Sequence, residues 1–124
     1  MDTTKSILKD IRVAVGLSED TVDFDTELVM HINAAISKLN QVGVGSFIIV
    51  NDESKTWGEL QDPLQIEGNK FFAMVPLFIT LSTKLIFDPP PPSTVEYYSK
   101  NIDELLWRLK VHFEEPTIVT TDTY

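Results

Sequence analysis

The chain has 124 residues, 10 basic and 19 acidic side chains, a net charge of −9 at neutral pH, and no cysteine. This length is typical of one domain, which can bury enough surface to fold without a disulfide or a structural metal. The absence of cysteine excludes disulfide frameworks, thiolate zinc sites and cysteine nucleophiles. The acidic balance argues against a protein that binds duplex DNA through a basic face.

Two amphipathic helices are predicted in the first third of the chain. Apolar residues recur at helical spacing over residues 4–15, and Gly16 suits the left-handed turn that ends a helix. A second helix is predicted from Asp25, whose carboxylate can cap free N–H groups, to Gly43. His31 lies beside the apolar stripe of this helix without a second ligand at metal-binding spacing. We therefore interpret it as a structural or surface histidine.

Residues 44–67 are predicted to form a long loop between the second and third long helices. Residues 46–50 are β-branched and suit an extended segment, and Ser54 can cap a short helical piece that carries Trp57. Long loops in small domains are often functional. Two interpretations stay open, a packed loop held by Trp57 or a loop with a function of its own. The side chains selected for such a function are Phe47, Ile48, Asp52 and Glu53.

Residues 69–87 are predicted to form a third long helix that is apolar on nearly every side. Such a helix must be surrounded by its own domain or by neighbouring subunits. Pro76 removes one backbone donor and should kink or delay the helix. The four prolines after Asp88 end it, and we favour a rigid connector over an SH3-type ligand. The stretch 71–87 is too short and too polar to span a bilayer.

A last helix is predicted after the prolines, opened by a capping box from Ser93 to Glu96. Trp107 lies off its apolar stripe, and we select it as a candidate interface anchor. The predicted fold is mainly α, a small bundle of about four helices that forms one domain over residues 1–115. The side chains expected in its core are Ile32, Ile36, Leu39, Phe78, Leu81, Leu85, Ile102, Leu105 and Leu109.

Residues 116–124 are predicted to form an extended C-terminal tail. They follow a helix-stopping proline, are rich in β-prone side chains and have no helical stripe. We expect such a segment to add main-chain hydrogen bonds to the exposed edge of a partner. The side chains assigned to partner binding are Thr117, Ile118, Val119, Thr120, Thr121 and Tyr124.

No motif in the chain predicts catalysis. The five glycines form no phosphate-binding loop, and no metal-ligand or nucleophile signature occurs. We therefore predict no enzyme, no catalytic residue, no cofactor and no metal. An enzyme subunit stays the weakest of the alternatives.

Several short stretches occur in a characteristic order and spacing. They include Phe24-Asp25-Thr26-Glu27-Leu28, Thr56-Trp57, Leu85-Ile86-Phe87-Asp88-Pro89-Pro90 and Glu104-Leu105-Leu106-Trp107-Arg108-Leu109. Together with residues 10–17, 32–36 and 43–45, they cover most of residues 8–113. In this order they resemble the head–tail connector proteins of long-tailed phages, a family also described as head-completion or adaptor proteins.

The resemblance implies a structural virion protein that docks under the portal and forms a ring of twelve copies. The ring would extend the DNA channel, through which DNA passes without specific binding, and would present a surface to the next neck protein. The implied partners are the portal protein, a neck or tail-completion protein and further copies of the chain, with no membrane. The implied location is the head–tail interface of the virion, reached from the host cytoplasm during assembly.

The resemblance also implies which segments meet which partner. The tail of residues 116–124 would bind the portal or the neck protein, and the loop would line the channel or contact the adjoining subunit. The alternative is a different class of protein. It is a small acidic adaptor or inhibitor, encoded by a phage, that binds a host protein through Trp107 and the apolar third helix.

Overall fold

The computed structural model describes residues 4–44, 48–60 and 73–112. These residues contain five helices: α1 (Ile7–Ala14), α2 (Asp25–Gln41), α3 (Trp57–Leu60), α4 (Met74–Phe87) and α5 (Pro92–His112). The described residues form no strand, and two of them, Ser6 and Thr56, make an isolated antiparallel bridge. The predicted mainly α bundle is confirmed.

Helix α4 lies at the centre of the bundle and packs against α2, α5 and α1. Its side chains Val75, Phe78 and Ile79 are fully buried, as expected for a helix with almost no polar face. Pro76 lies in the first turn, where a backbone N–H has no acceptor within the helix, so the missing donor costs little there. Residues 69–72 of the predicted third helix lie outside the described residues.

Helix α1 begins three residues later than predicted. The hydroxyl of Ser6 caps its first turn, and the backbone just before it pairs with the backbone before α3. Ile7 N donates to the Lys55 carbonyl at 3.0 Å, and Trp57 N donates to the Lys5 carbonyl at 3.2 Å. The backbone at Lys5 and Ile7 therefore pairs with the distant loop, and the helix does not extend back to residue 4.

The ends of the helices confirm part of the sequence analysis and correct part of it. Gly16 and Gly43 adopt positive φ angles of 94° and 85°, each two residues after the last residue of α1 or α2, as the predicted helix stops require. Asp25 is the first residue of α2, but its side chain caps no N–H group of that helix. Helix α5 begins at Pro92, so Ser93 lies inside the first turn and not at the N-cap. Proline suits this first position because its missing N–H would be unpaired there.

The core confirms six of the nine predicted side chains. Ile32, Ile36, Leu39, Phe78, Ile102 and Leu109 are buried. The prediction is wrong for Leu81, Leu85 and Leu105, which are half-buried and pack against the edge of the core. Leu81 and Leu105 are only half-buried because they line an open groove between α4 and α5.

The two leucines of α5 provide a matched stability test. Leu109→Ala should lower the free energy of unfolding by about 2–5 kcal/mol, because the side chain is fully buried and leaves a cavity. Leu105→Ala should cost about 1–2 kcal/mol, because part of that side chain already faces the groove. Urea unfolding of both variants measures the two losses. Equal losses would mean that the groove is closed in solution.

Candidate functional site

A buried arginine connects the loop to the first two helices. The side chain of Arg12 on α1 is only 1% exposed. Its Nε and Nη2 donate to the two carboxylate oxygens of Asp25 at 3.0 and 2.6 Å. Its Nη1 donates to Oε2 of Glu53 at 2.6 Å and to the Glu19 carbonyl at 2.7 Å. One guanidinium therefore joins α1, the connection before α2, the start of α2 and the loop.

This cluster explains how a charged side chain can be buried. A guanidinium has five N–H donors, and four of them are used here. The hydrogen bonds to Asp25 raise the pKa of Arg12 above its ordinary value, burial acts in the opposite direction, and Glu53 adds to the increase. Arg12 thus stays charged, and removing it would leave two carboxylates without their cation.

Two side-chain amides of α2 form hydrogen bonds with the backbone of the loop. The amide of Asn33 pairs with the backbone of Val50 through two hydrogen bonds, one donated and one accepted, each of 2.8 Å. Asn40 Nδ2 donates to the Val44 carbonyl at 3.0 Å. These contacts satisfy backbone groups that have no partner in a helix or strand.

Trp57 packs near the C-terminal end of the described part of the loop. Its indole is 1% exposed, and Nε1 donates to Oδ2 of Asp10 at 2.8 Å. Thr56 N donates to the carboxylate of Glu59 at 3.0 Å, so the Glu59 side chain caps the backbone N–H that precedes α3. The predicted cap at Ser54 is wrong, because Ser54 instead donates its backbone N–H and hydroxyl to Asp52. Over residues 48–60 the loop is packed and Trp57 is buried, as the packed-loop interpretation expects, whereas residues 45–47 and 61–67 lie outside the described residues.

The loop presents a mixed surface to solvent. Ile48 is half-buried and packs against the core, whereas Ile49 is 55% exposed. Asp52 and Glu53 are exposed, although Glu53 also binds Arg12. Hydrogen bonds from Ser54 lower the pKa of the Asp52 carboxyl below its ordinary value. Phe47 lies outside the described residues, and the assignment of this loop to a channel or a neighbouring subunit stays a prediction.

The outward face of α5 carries the candidate anchor. Trp107 is 63% exposed, and Tyr97 and Val111 are also exposed. Arg108 donates from Nε and Nη2 to Oε2 of Glu104 at 3.0 and 2.6 Å, because residues four positions apart are neighbours on a helix. The six tail residues from Thr117 to Tyr124 assigned to partner binding lie outside the described residues, so their role also stays a prediction.

A groove of about 240 Å³ runs between α4 and α5. Its walls are mainly apolar, and an ion pair lies at its rim. The lining residues are Met74, Leu77, Leu81, Asn101, Glu104, Leu105 and Arg108. Leu77 is 47% exposed, so this concave surface is accessible from outside.

The proline segment joins two packed helices. Residues 88–91 connect α4 to α5, which contact each other, and Pro92 already belongs to α5. Just before this segment, Phe87 packs edge-to-face on Phe24, with 5.5 Å between ring centroids. This contact brings the end of α4 against the residue that precedes α2, and the prolines connect two helices of the same packed domain.

The described residues offer no obvious ligand chemistry. They contain no group of three or more His, Asp or Glu side chains that could hold a metal ion. Nε2 of His31 lies 3.8 Å from Oε2 of Glu27, one helical turn away. None of the described helices is long and apolar enough to cross a membrane.

Comparison with known proteins identifies the family. The profile described as phage connector protein matches residues 7–116 of the chain. The chain belongs to the phage connector family. No curated protein and no solved structure matches it. The family is structural, and membership gives the protein a role at the head–tail connection of a bacteriophage virion, in association with portal and tail proteins.

The Arg12 cluster and the contact made by the Asn33 amide were not predicted from the sequence. A charged side chain is expected on the polar side of α1, yet Arg12 lies four residues after Leu8, on the edge of the apolar stripe. That position is the signal that could have revealed burial. Asn33 has no comparable signal, because its partner is the backbone of a loop 17 residues away.

Substitution of the buried arginine tests the cluster. Arg12→Met should lower the free energy of unfolding by about 2–3 kcal/mol, because two carboxylates lose their cation while water still reaches them in part. Arg108→Met is the matched control and should cost less than about 0.5 kcal/mol, because its ion pair is exposed. Urea unfolding gives both values, and a loss at Arg12 no larger than at Arg108 would contradict the assignment.

Proposed function

We propose that this phage connector protein forms a ring of twelve copies under the portal. The ring extends the DNA channel and provides the attachment surface for the next neck protein. The observation that carries the proposal is the family match over residues 7–116, which includes all five described helices. A structural role of this kind requires no catalytic residue, and we propose that the protein has none.

Exposed apolar side chains support assembly with further subunits. Met30 on α2, Ile86 on α4 and Trp107 on α5 are each at least 60% exposed. Such side chains on several helices favour contacts with other proteins, because burying them removes apolar surface from water. They support a subunit that completes its packing only in an assembly.

The acidic charge supports passage of DNA through the ring. The chain carries −9 at neutral pH, and each further copy in a ring adds the same charge. Phosphates are repelled by an acidic surface, so DNA can slide past without binding to it. The exposed carboxylates of Asp52 and Glu53 lie on the loop that we assign to the channel or to the adjoining subunit.

The loop and the tail are the segments that we assign to contacts. Arg12, Asn33 and Trp57 hold the described part of the loop in one shape, which suits a surface that must match a neighbour. The tail of residues 116–124 is β-prone and would bind the portal or the neck protein by strand addition. A small inhibitor of a host protein is the less supported alternative, because the matched family is structural.

Electron microscopy of portal complexes tests the ring. Adding the purified protein in excess to portal particles should produce new ring density at the narrow end of the portal. Counting the symmetry of that density gives the number of copies. Portal without added protein is the control. Complete absence of density with folded protein in excess would overturn the proposal.

Shortening the chain tests the tail. Deletion of residues 116–124 should leave helix content and melting temperature nearly unchanged, because the five described helices end at His112. The same deletion should abolish stable attachment to the portal or the neck protein, measured by co-sedimentation. The matched pair is Ile118→Asp with Val119→Asp against the conservative Ile118→Val with Val119→Ile. Unfolding of the truncated protein, or normal attachment, would contradict the assignment.

A further inference from the structure

The exposed face of α5 carries a charge pattern that reverses its sign around one tryptophan. Asp103 and Glu104 come before Trp107, and Arg108 and Lys110 follow it. All five side chains are exposed. Spacings of three and four residues place Asp103, Trp107 and Lys110 along one side of the helix. The acidic half and the basic half therefore lie on either side of a large apolar side chain.

We propose that two copies of the chain associate through this face, with their α5 helices antiparallel and Trp107 beside a twofold axis. An axis that passes beside positions 106 and 107 places Asp103 opposite Lys110 of the second copy. It also places Glu104 close to Arg108 of the second copy, because the position directly opposite Arg108 is the next residue, 105. By symmetry each pairing occurs twice, so the same short segment supplies both halves of the contact.

Charge selects the antiparallel arrangement over a parallel one. Residues 103 and 110 are about 10 Å apart along the helix, at 1.5 Å per residue. Parallel helices in register would place like charges at the same height, which is unfavourable. The reversed arrangement turns each of these repulsions into an attraction. Arg108 can join the contact while it still binds Glu104 in its own chain, because its guanidinium has five donors.

Trp107 supplies the apolar part of the contact. Its ring is 63% exposed, and Val111 one turn later is 47% exposed. Tryptophan is the type of residue that contributes most when it lies at the centre of an interface, surrounded by polar side chains. In the proposed dimer, the two Trp107 rings lie next to each other, and the charged pairs surround them.

The small area makes the dimer weak. A stable complex buries roughly 800 Å² on each partner, and a single helix face of nine residues provides less than that. We therefore expect a dimer that forms in the range of about 10 μM to 1 mM and weakens at high salt. A twofold contact closes after two copies, so it cannot propagate around a ring. The dimer is thus a state of the free subunit and goes beyond the proposed function.

Sedimentation equilibrium of the full chain between about 10 μM and 1 mM tests the contact without any portal. The wild type should approach twice its mass of 14.0 kDa. Trp107→Ala, Asp103→Lys and Lys110→Asp should each weaken association about tenfold or more. The two charge variants mixed in equal amounts should dimerise again, because each restores the complement of the other.

Matched variants separate this contact from a general charge effect. Asp23→Lys and Lys38→Asp make the same changes of charge at exposed positions outside α5, and they should dimerise like the wild type. Circular dichroism checks that every variant is folded. A wild type that stays monomeric at 1 mM would overturn the proposal and assign this face to a different partner. An unchanged Trp107→Ala variant, a monomeric mixture or a species other than a dimer would overturn it as well.

Discussion

The interaction on which the described structure depends is the burial of the Arg12 guanidinium. A buried cation must be surrounded by acceptors, and here these come from the connection before α2, from α2 itself and from the loop. Placing Asp25 and Glu53 around one side chain fixes how three segments of the chain meet. The described part of the loop thereby acquires a defined shape, although residues 48–56 belong to no helix or strand.

The rest of the bundle leaves part of its apolar surface uncovered. Helix α4 is buried against three other helices, yet Leu77 and Ile86 remain exposed on it. Helix α5 likewise exposes Trp107. Burial of these exposed side chains by other proteins would remove apolar surface from water. This is the physical basis on which we propose contacts with a portal, a neck protein and further copies of the chain.

The sequence by itself determined the helices and the family. The apolar spacing of α2 and the two glycine stops are local signals, since a helix repeats every 3.6 residues and a left-handed turn needs glycine. The apolar character of α4, and the prolines after Asp88 that separate it from α5, are equally local. The order of short stretches such as Thr56-Trp57 was sufficient to recognise a phage connector.

Only the tertiary structure decided where the polar side chains of this domain go. Aspartate is a common helix cap, but Asp25 binds Arg12 instead. Its carboxylate forms stronger hydrogen bonds with the buried, charged guanidinium than with backbone N–H groups at a helix end exposed to water. Ile48 and Ile49 are adjacent and chemically alike, yet one packs against the core and the other faces solvent. Asn33 reaches Val50 across 17 residues. Hydrogen bonds between distant segments depend on how the helices pack, and no local pattern of residues encodes that packing.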